Sequence, residues 1–160
     1  MINAFGGADC HGASRPRSPE MKKKKVLIVN DELDMRTFLC TLLGTCDYEA
    51  IMAEDGQEGI FKAREIKPEL VILDVMMPNE EGVQLYSKLK TDDDLKHIPV
   101  IMLSDIGKRT FFHSQNMLKF ALGQSMPEPD AYMEKPVESE VLLQVAEKLL
   151  SPLKKTHFGN

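Results

Sequence analysis

Two kinds of apolar spacing alternate along this chain. Val26–Val29, Leu70–Leu73 and Ile98–Leu103 are short, nearly unbroken aliphatic runs. Runs of that length read as strands covered on both faces, the kind found in parallel sheets. Tyr48–Ala53 and Ala131–Met133 supply two shorter strands. Between these runs the apolar residues return every three or four positions, which predicts helices. The first carries Met35, Phe38, Leu39, Leu42 and Leu43 inward, with Asp34 as its cap and Gly44 as its stop. The second spans Gln57–Ile66, turns Ile60, Phe61 and Ile66 inward and ends before Pro68. Val83–Leu89 makes a third, burying Val83, Leu85, Tyr86 and Leu89 in part. Phe111, Phe112, Met117, Leu118, Phe120 and Ala121 mark a fourth, and Glu138–Leu150 a fifth with Val141, Leu142, Val145 and Leu149 on one face. A βα unit repeated five times implies a parallel sheet, right-handed crossovers and helices on both faces.

The segments outside this pattern set the expected boundaries. Residues 1–20 hold Gly, Ala, Ser and Pro without periodicity and read as a disordered leader or start-site artefact, with Met21 as the natural start. Residues 21–152 form the one domain and 153–160 a polar tail. Thr91–Asp94 is acidic, but it lacks the alternation and distal glutamate of an EF-hand loop and reads as a solvated turn. Residues 105–130 make an unusually long connection, irregular from Gly123 to Asp130, where Pro127 and Pro129 fall.

Polar residues stand where the apolar runs stop. The first run ends in Asn30, Asp31 and Glu32, the third in Asp74, the fourth in Ser104, and the fifth in Lys135 followed by Pro136. In a parallel sheet these ends share one edge, where open α/β folds place their chemistry. Taken alone, Asp74 could simply close a strand; the convergence of the others is what makes it a candidate. Asp31 and Asp74, with a backbone carbonyl and waters, suit a hard divalent cation such as Mg²⁺. A carboxylate can attack phosphorus and form an aspartyl phosphate. The metal and a nearby lysine would offset charge on the transferring oxygens, and the Ser104 hydroxyl could donate to them.

The segments VLIVNDE (26–32), VILDVMMPNEEG (71–82), VIMLSD (100–105) and YMEKP (132–136) together closely resemble the receiver (CheY-like) domain of bacterial two-component response regulators. The resemblance covers roughly Lys25 to Leu150. It implies a doubly wound (βα)5, flavodoxin-like three-layer sandwich with parallel sheet order 2-1-3-4-5. It also implies that Asp74 takes a phosphoryl group from a histidine kinase or a phosphotransfer protein. Asp31 then corresponds to the direct Mg²⁺ ligand and Met76 to the residue whose backbone carbonyl completes the protein ligands, with Glu32 and Asn30 reaching the cation through water. Ser104 and Tyr132 match the switch pair, Lys135 the phosphate-binding lysine, and the Lys135–Pro136 bond the family's cis-proline. Phosphorylation would re-shape the face formed by the fourth helix, fifth strand and fifth helix, through which a downstream protein or a second copy could dock.

Three departures from the family pattern qualify this expectation. Asn30 replaces the usual first acid, removing one negative charge and weakening the expected hold on Mg²⁺. Met76 and Ile106 flank the path of the hydrolytic water with apolar side chains, which predicts a long-lived phosphoryl group. The 105–130 connection is enlarged, and a partner-binding insert and a neutral elaboration explain it equally well.

Composition narrows the alternatives. A net charge of −5 argues against general nucleic-acid binding, and Lys22–Lys25 read as a solvated cap on the first strand. No stretch approaches the ~20 apolar residues of a membrane span, and no signal-peptide block precedes the domain. Cys10, Cys40 and Cys46 lack a disulfide framework, consistent with reduced thiols in a cytoplasmic protein. Cys10 beside His11 on a tail makes a poor metal site, and His97 and His113 read as solvated surface. Because no effector segment follows the fifth helix, the expected protein is a stand-alone receiver and not an enzyme in its own right. The alternative is a pseudo-receiver that binds partners without phosphate. An aspartyl-phosphate phosphatase similar to the haloacid-dehalogenase family would want an acid two residues after the nucleophile, where Met76 stands.

Overall fold

The computed structural model describes residues 22–122 and 127–151, with residues 116–122 described only in the course of their backbone. The expected leader, the polar tail, Cys10 with His11, and the side chains of Met117, Leu118, Phe120 and Ala121 lie outside the described residues. The elements run β1 Lys25–Val29, α1 Leu33–Gly44, β2 Glu49–Ala53, α2 Gly56–Ile66, β3 Leu70–Asp74, α3 Glu81–Thr91, β4 Val100–Ser104, α4 Lys108–Leu122, β5 Ala131–Glu134 and α5 Ser139–Leu150. The five strands form one sheet in the order β2-β1-β3-β4-β5, and every pairing is parallel. This is the expected doubly wound architecture.

Side chains alternate across a strand, so each aliphatic run feeds two cores at once. Leu27, Val29, Val71, Leu73, Val100 and Met102 pack on one face against Ile60 and Ala63 of α2, Leu85, Tyr86 and Leu89 of α3, and Phe111 of α4. Val26, Ile28, Leu70, Ile72, Ile101 and Leu103 pack on the other against Leu39 and Leu43 of α1 and Leu142, Ala146 and Leu150 of α5. β3 is buried along its whole length. A strand with two apolar faces and neighbours on both edges has nowhere else to sit.

The helices depart from the sequence reading in instructive places. Phe61 is 63% exposed, Val141 41% and Phe38 38%, although each was expected to face inward. On α2 the inward stripe is built from Gly59, Ile60 and Ala63, and a Cβ on Gly59 would come within 2.9 Å of Leu85 Cδ2. The helix sits too close to α3 for a phenylalanine, so small residues face in and the aromatic turns out. On α5, Ala146 and Leu150 take buried places beside Leu142, and Val141 lies off that stripe. The cap of α1 is Glu32, without a side-chain hydrogen bond, and Asp34 lies inside the first turn. α2 starts one residue early because the Asp55 side chain accepts from Glu58 N at 2.8 Å, which satisfies a free helix-end donor. β4 begins at Val100, not Ile98, and carries Ser104 as its last residue. His97 and His113 are exposed as expected, and Cys40 is half-buried. Among the described residues, no helix is long and apolar enough to cross a membrane.

Candidate functional site

Strand register brings the polar residues to one edge. Val29 pairs with Leu73, Asp74 with Leu103 and Ser104 with Glu134, so Asn30, Asp74, Ser104 and Lys135 follow the sheet's carboxyl ends. Asn30, Asp74 and Ser104 are the three buried polar residues among those described.

Asp74 is held on both oxygens. Oδ1 accepts from Met76 N at 2.8 Å, and Oδ2 accepts from Lys135 Nζ at 2.8 Å. With only 2% of its side chain exposed, its charge needs these donors, because an uncompensated buried carboxylate is costly. The peptide that follows is equally fixed. Val75 N donates to Leu103 O at 3.0 Å, and the chain then turns through Pro78–Glu80, where Asn79 and Glu80 take left-handed backbone (φ 59° and 57°). That turn presses the start of α3 against the strand. A Cβ on Gly82 would lie 2.5 Å from both Asp74 O and Val75 Cα, so only glycine fits.

Lys135 is anchored through its backbone N, which donates to Ser104 O at 2.8 Å, and the Lys135–Pro136 bond is cis. Its ammonium also lies 3.7 Å from Asp105 Oδ1. Burial alone would pull the lysine down. The hydrogen bond and charge of Asp74, joined by Asp105 and Glu32, outweigh burial and hold its pKa above the ordinary value.

Ser104 Oγ accepts from Ile106 N at 3.1 Å, and Tyr132 OH donates to Ile106 O at 2.9 Å. Both polar groups of the Ile106 backbone are thus engaged, one by each residue of the expected switch pair. The Tyr132 ring is half-buried against Phe111 and Phe112, with centroids 5.7 and 5.9 Å away. Burial pushes its hydroxyl pKa up, the Glu134 charge adds to that, and Ser104 opposes it.

The β1 side is looser. Asp31 and Glu32 are exposed. Asn30 is fully buried; its Oδ1 accepts from Glu32 N at 2.9 Å, and its Nδ2 has no hydrogen-bond partner. Arg36 Nη1 donates to Asn30 O at 2.7 Å and fixes the strand end. Among the described residues, no group of three or more His, Cys, Asp or Glu is placed to hold a metal. Met76 is 42% exposed at the rim, and Ile106 is half-buried. Sequence reasoning missed Asp105 and Arg36. Asp105 was visible only as the residue after Ser104, and Arg36 only as a charge within an apolar helix pattern.

A buried aspartate at the end of β3, bonded to the lysine that follows β5 in a five-stranded 2-1-3-4-5 sheet, defines a class of α/β signalling domain. The response regulator receiver domain model matches residues 26–147, and the chain belongs to that family. It is 41% identical over 88 residues to a probable transcriptional regulator, ycf27, of Cyanophora paradoxa, covering 55% of this chain and 36% of that protein. It is 40% identical over 82 residues to the polar-differentiation response regulator DivK of Brucella anthropi, covering 51% of this chain and 66% of that protein. The curated relatives it matches are therefore longer than the stretch it shares with them. The signal receiver domain of a histidine kinase from Syntrophus aciditrophicus superposes with a TM-score of 0.68 at 28% identity, over 86% of this chain and 97% of that one.

Proposed function

We propose that this receiver domain, spanning residues 21–152, accepts a phosphoryl group on Asp74 and uses it to switch a protein-binding surface. The observation that carries the reading is the 2.8 Å contact between Lys135 Nζ and a nearly solvent-free Asp74 carboxylate. When the lysine ammonium turns to the incoming phosphoryl oxygens, it releases the Asp74 oxygen it held, and that oxygen can bond phosphorus while the other stays on Met76 N. The donor is a histidine kinase or a phosphotransfer protein, and the domain has no turnover of its own beyond gaining and losing that phosphoryl group. It works in the cytoplasm, without direct contact with nucleic acid or membrane.

The donor set also suits Mg²⁺: Asp31, Asp74 and the Met76 carbonyl offer hard oxygens, with Glu32 and Asn30 one water further out. When bound, the cation would offset charge on the transferring phosphoryl oxygens. Ser104 Oγ would leave Ile106 N for the phosphoryl group. The loop carrying Ile106 would then shift, Tyr132 would lose the carbonyl it donates to, and the α4–β5–α5 face would change shape. That face is the docking surface for a downstream protein or a second copy, with the 105–130 connection beside it. Met76 and Ile106 offer no polar atom on their side chains to orient a hydrolytic water, so the aspartyl phosphate should be long-lived.

Asn30 supports a second reading. Its uncharged, half-satisfied amide suits a pseudo-receiver that binds partners without phosphate. One experiment separates the two. The protein and Asp74→Asn are incubated with Mg²⁺ and acetyl phosphate, and intact masses are followed over time. A phosphoryl adduct on the wild type alone, persisting for minutes or longer, is expected. Decay within seconds would remove the slow-hydrolysis reading. No adduct, together with no NMR response to beryllofluoride, would leave the pseudo-receiver.

A further inference from the structure

Asp105 is the one charged side chain at the phosphosite that the reading above gives no task. It follows the last residue of β4 directly, and its side chain is 62% exposed, whereas Asp74 is 2% and Lys135 15% exposed. Its Oδ1 lies 3.7 Å from Lys135 Nζ, whose other carboxylate, Asp74 Oδ2, is at 2.8 Å. One ammonium is thus flanked by two acids, a buried one that would react and an exposed one. The separation to Asp105 exceeds hydrogen-bonding reach, so the contact is a charge interaction and does not fix the geometry of Asp105. A phosphodonor has to come in from solvent toward Asp74, and an exposed acid stands 3.7 Å from the ammonium it needs.

We propose that Asp105 is a positioning residue that sets the donor selectivity of the phosphosite: by sharing Lys135 with Asp74, it disfavours loading by small dianionic phosphodonors relative to donors of lower charge. The inference rests on Asp74 being the phosphoacceptor. In the transfer, an Asp74 oxygen bonds to phosphorus as the donor's P–O or P–N bond breaks, and the leaving acetate or ammonia keeps the bonding pair. The approaching phosphoryl oxygens need the Lys135 ammonium. Asp105 draws on that same charge and repels the donor in proportion to the donor's net charge. Because Asp105 is solvated, the effect is moderate and screened by salt.

The test compares the wild type, Asp105→Asn and Asp105→Ala, timing adduct formation by intact mass. Acetyl phosphate serves as the dianionic donor and phosphoramidate, a net monoanion at neutral pH, as the other, each at low and high ionic strength with Mg²⁺ held constant. Both variants should load about 3- to 10-fold faster from acetyl phosphate at low salt. The gain should be clearly smaller from phosphoramidate and should shrink in high salt. A change of equal size with both donors, or one indifferent to salt, would mark Asp105 as merely structural and overturn the proposal. So would variants that load no faster than a wild type that itself forms the adduct. If no protein, wild type included, forms an adduct with either donor, the phosphoacceptor reading of Asp74 falls and takes this one with it.

Discussion

The two halves of the candidate pocket are built to different standards. On the β3–β4–β5 side, both oxygens of Asp74, the Ser104 hydroxyl, both polar groups of the Ile106 backbone and the Lys135 ammonium all have partners. On the β1 side, Asp31 and Glu32 stand in solvent, and the buried Asn30 leaves its amide nitrogen without a partner. Burial explains the contrast. A charge taken out of water must be met by fixed donors, whereas an exposed carboxylate is served by solvent and needs no scaffold. The tight half is therefore organised before any ligand arrives. The loose half is where a ligand would complete the structure.

The largest expected effect strikes the tight half through backbone alone. Gly82→Ala would place a methyl group 2.5 Å from the O of Asp74, the last residue of β3, and from Val75 Cα. The N–H of Val75 is tied to Leu103 O, so neither can move without disturbing the end of the sheet. Chemical denaturation should show a loss of about 2–4 kcal/mol. Gly44→Ala is the control, since its Cβ would meet nothing within 4 Å. Equal costs at the two glycines would show that the packing under Asp74 is not as tight as the backbone indicates.

Removing the cation comes next. Lys135→Ala leaves a buried Asp74 with Met76 N as its remaining donor, and should cost about 1–3 kcal/mol at neutral pH. The pH dependence has a definite sign. The folded-state lysine is held above its ordinary value, so its contribution is complete below the unfolded pKa of about 10.4 and fades as pH rises through the higher folded value. The stability gap between wild type and variant should thus stay level from pH 7 to 9 and narrow only in strong alkali. A gap that closes below pH 9 would mean that the lysine is not stabilised by its acids.

How much of this was legible in the sequence divides along the same line. The buried strands announced themselves, because a run such as Leu70–Leu73 has two apolar faces and fits only the middle of a parallel sheet. The strand-end residues were legible for a related reason: a polar residue that stops such a run has only the sheet's edge to occupy. Helix faces were harder to read. Phe61 and Val141 looked like core because size was taken for burial, while Gly59 and Ala146 hold the close-packed places. Asp105 was invisible because its significance is a distance to Lys135, thirty positions on, and no local pattern encodes it. Asn30 was read correctly as uncharged, but its bond to Glu32 N and its spare donor emerge only from the folded loop.

That spare donor gives the finest test of the contrast between the halves. An amide N–H is a poor match for a metal-bound water, which itself donates and seeks an acceptor. Asn30→Asp exchanges the unpaired donor for an acceptor and adds a negative charge beside Asp31, and both changes favour a divalent cation. A Mg²⁺ titration followed by NMR or tyrosine fluorescence should therefore tighten, by roughly threefold once solvent screening is allowed for. The metal-free variant should in turn be slightly less stable than the wild type, because a second acid now sits in a buried position with nothing to neutralise it. Titrations that coincide would show that position 30 does not contribute to cation binding. The looseness of the β1 side would then be a property of its exposed acids alone.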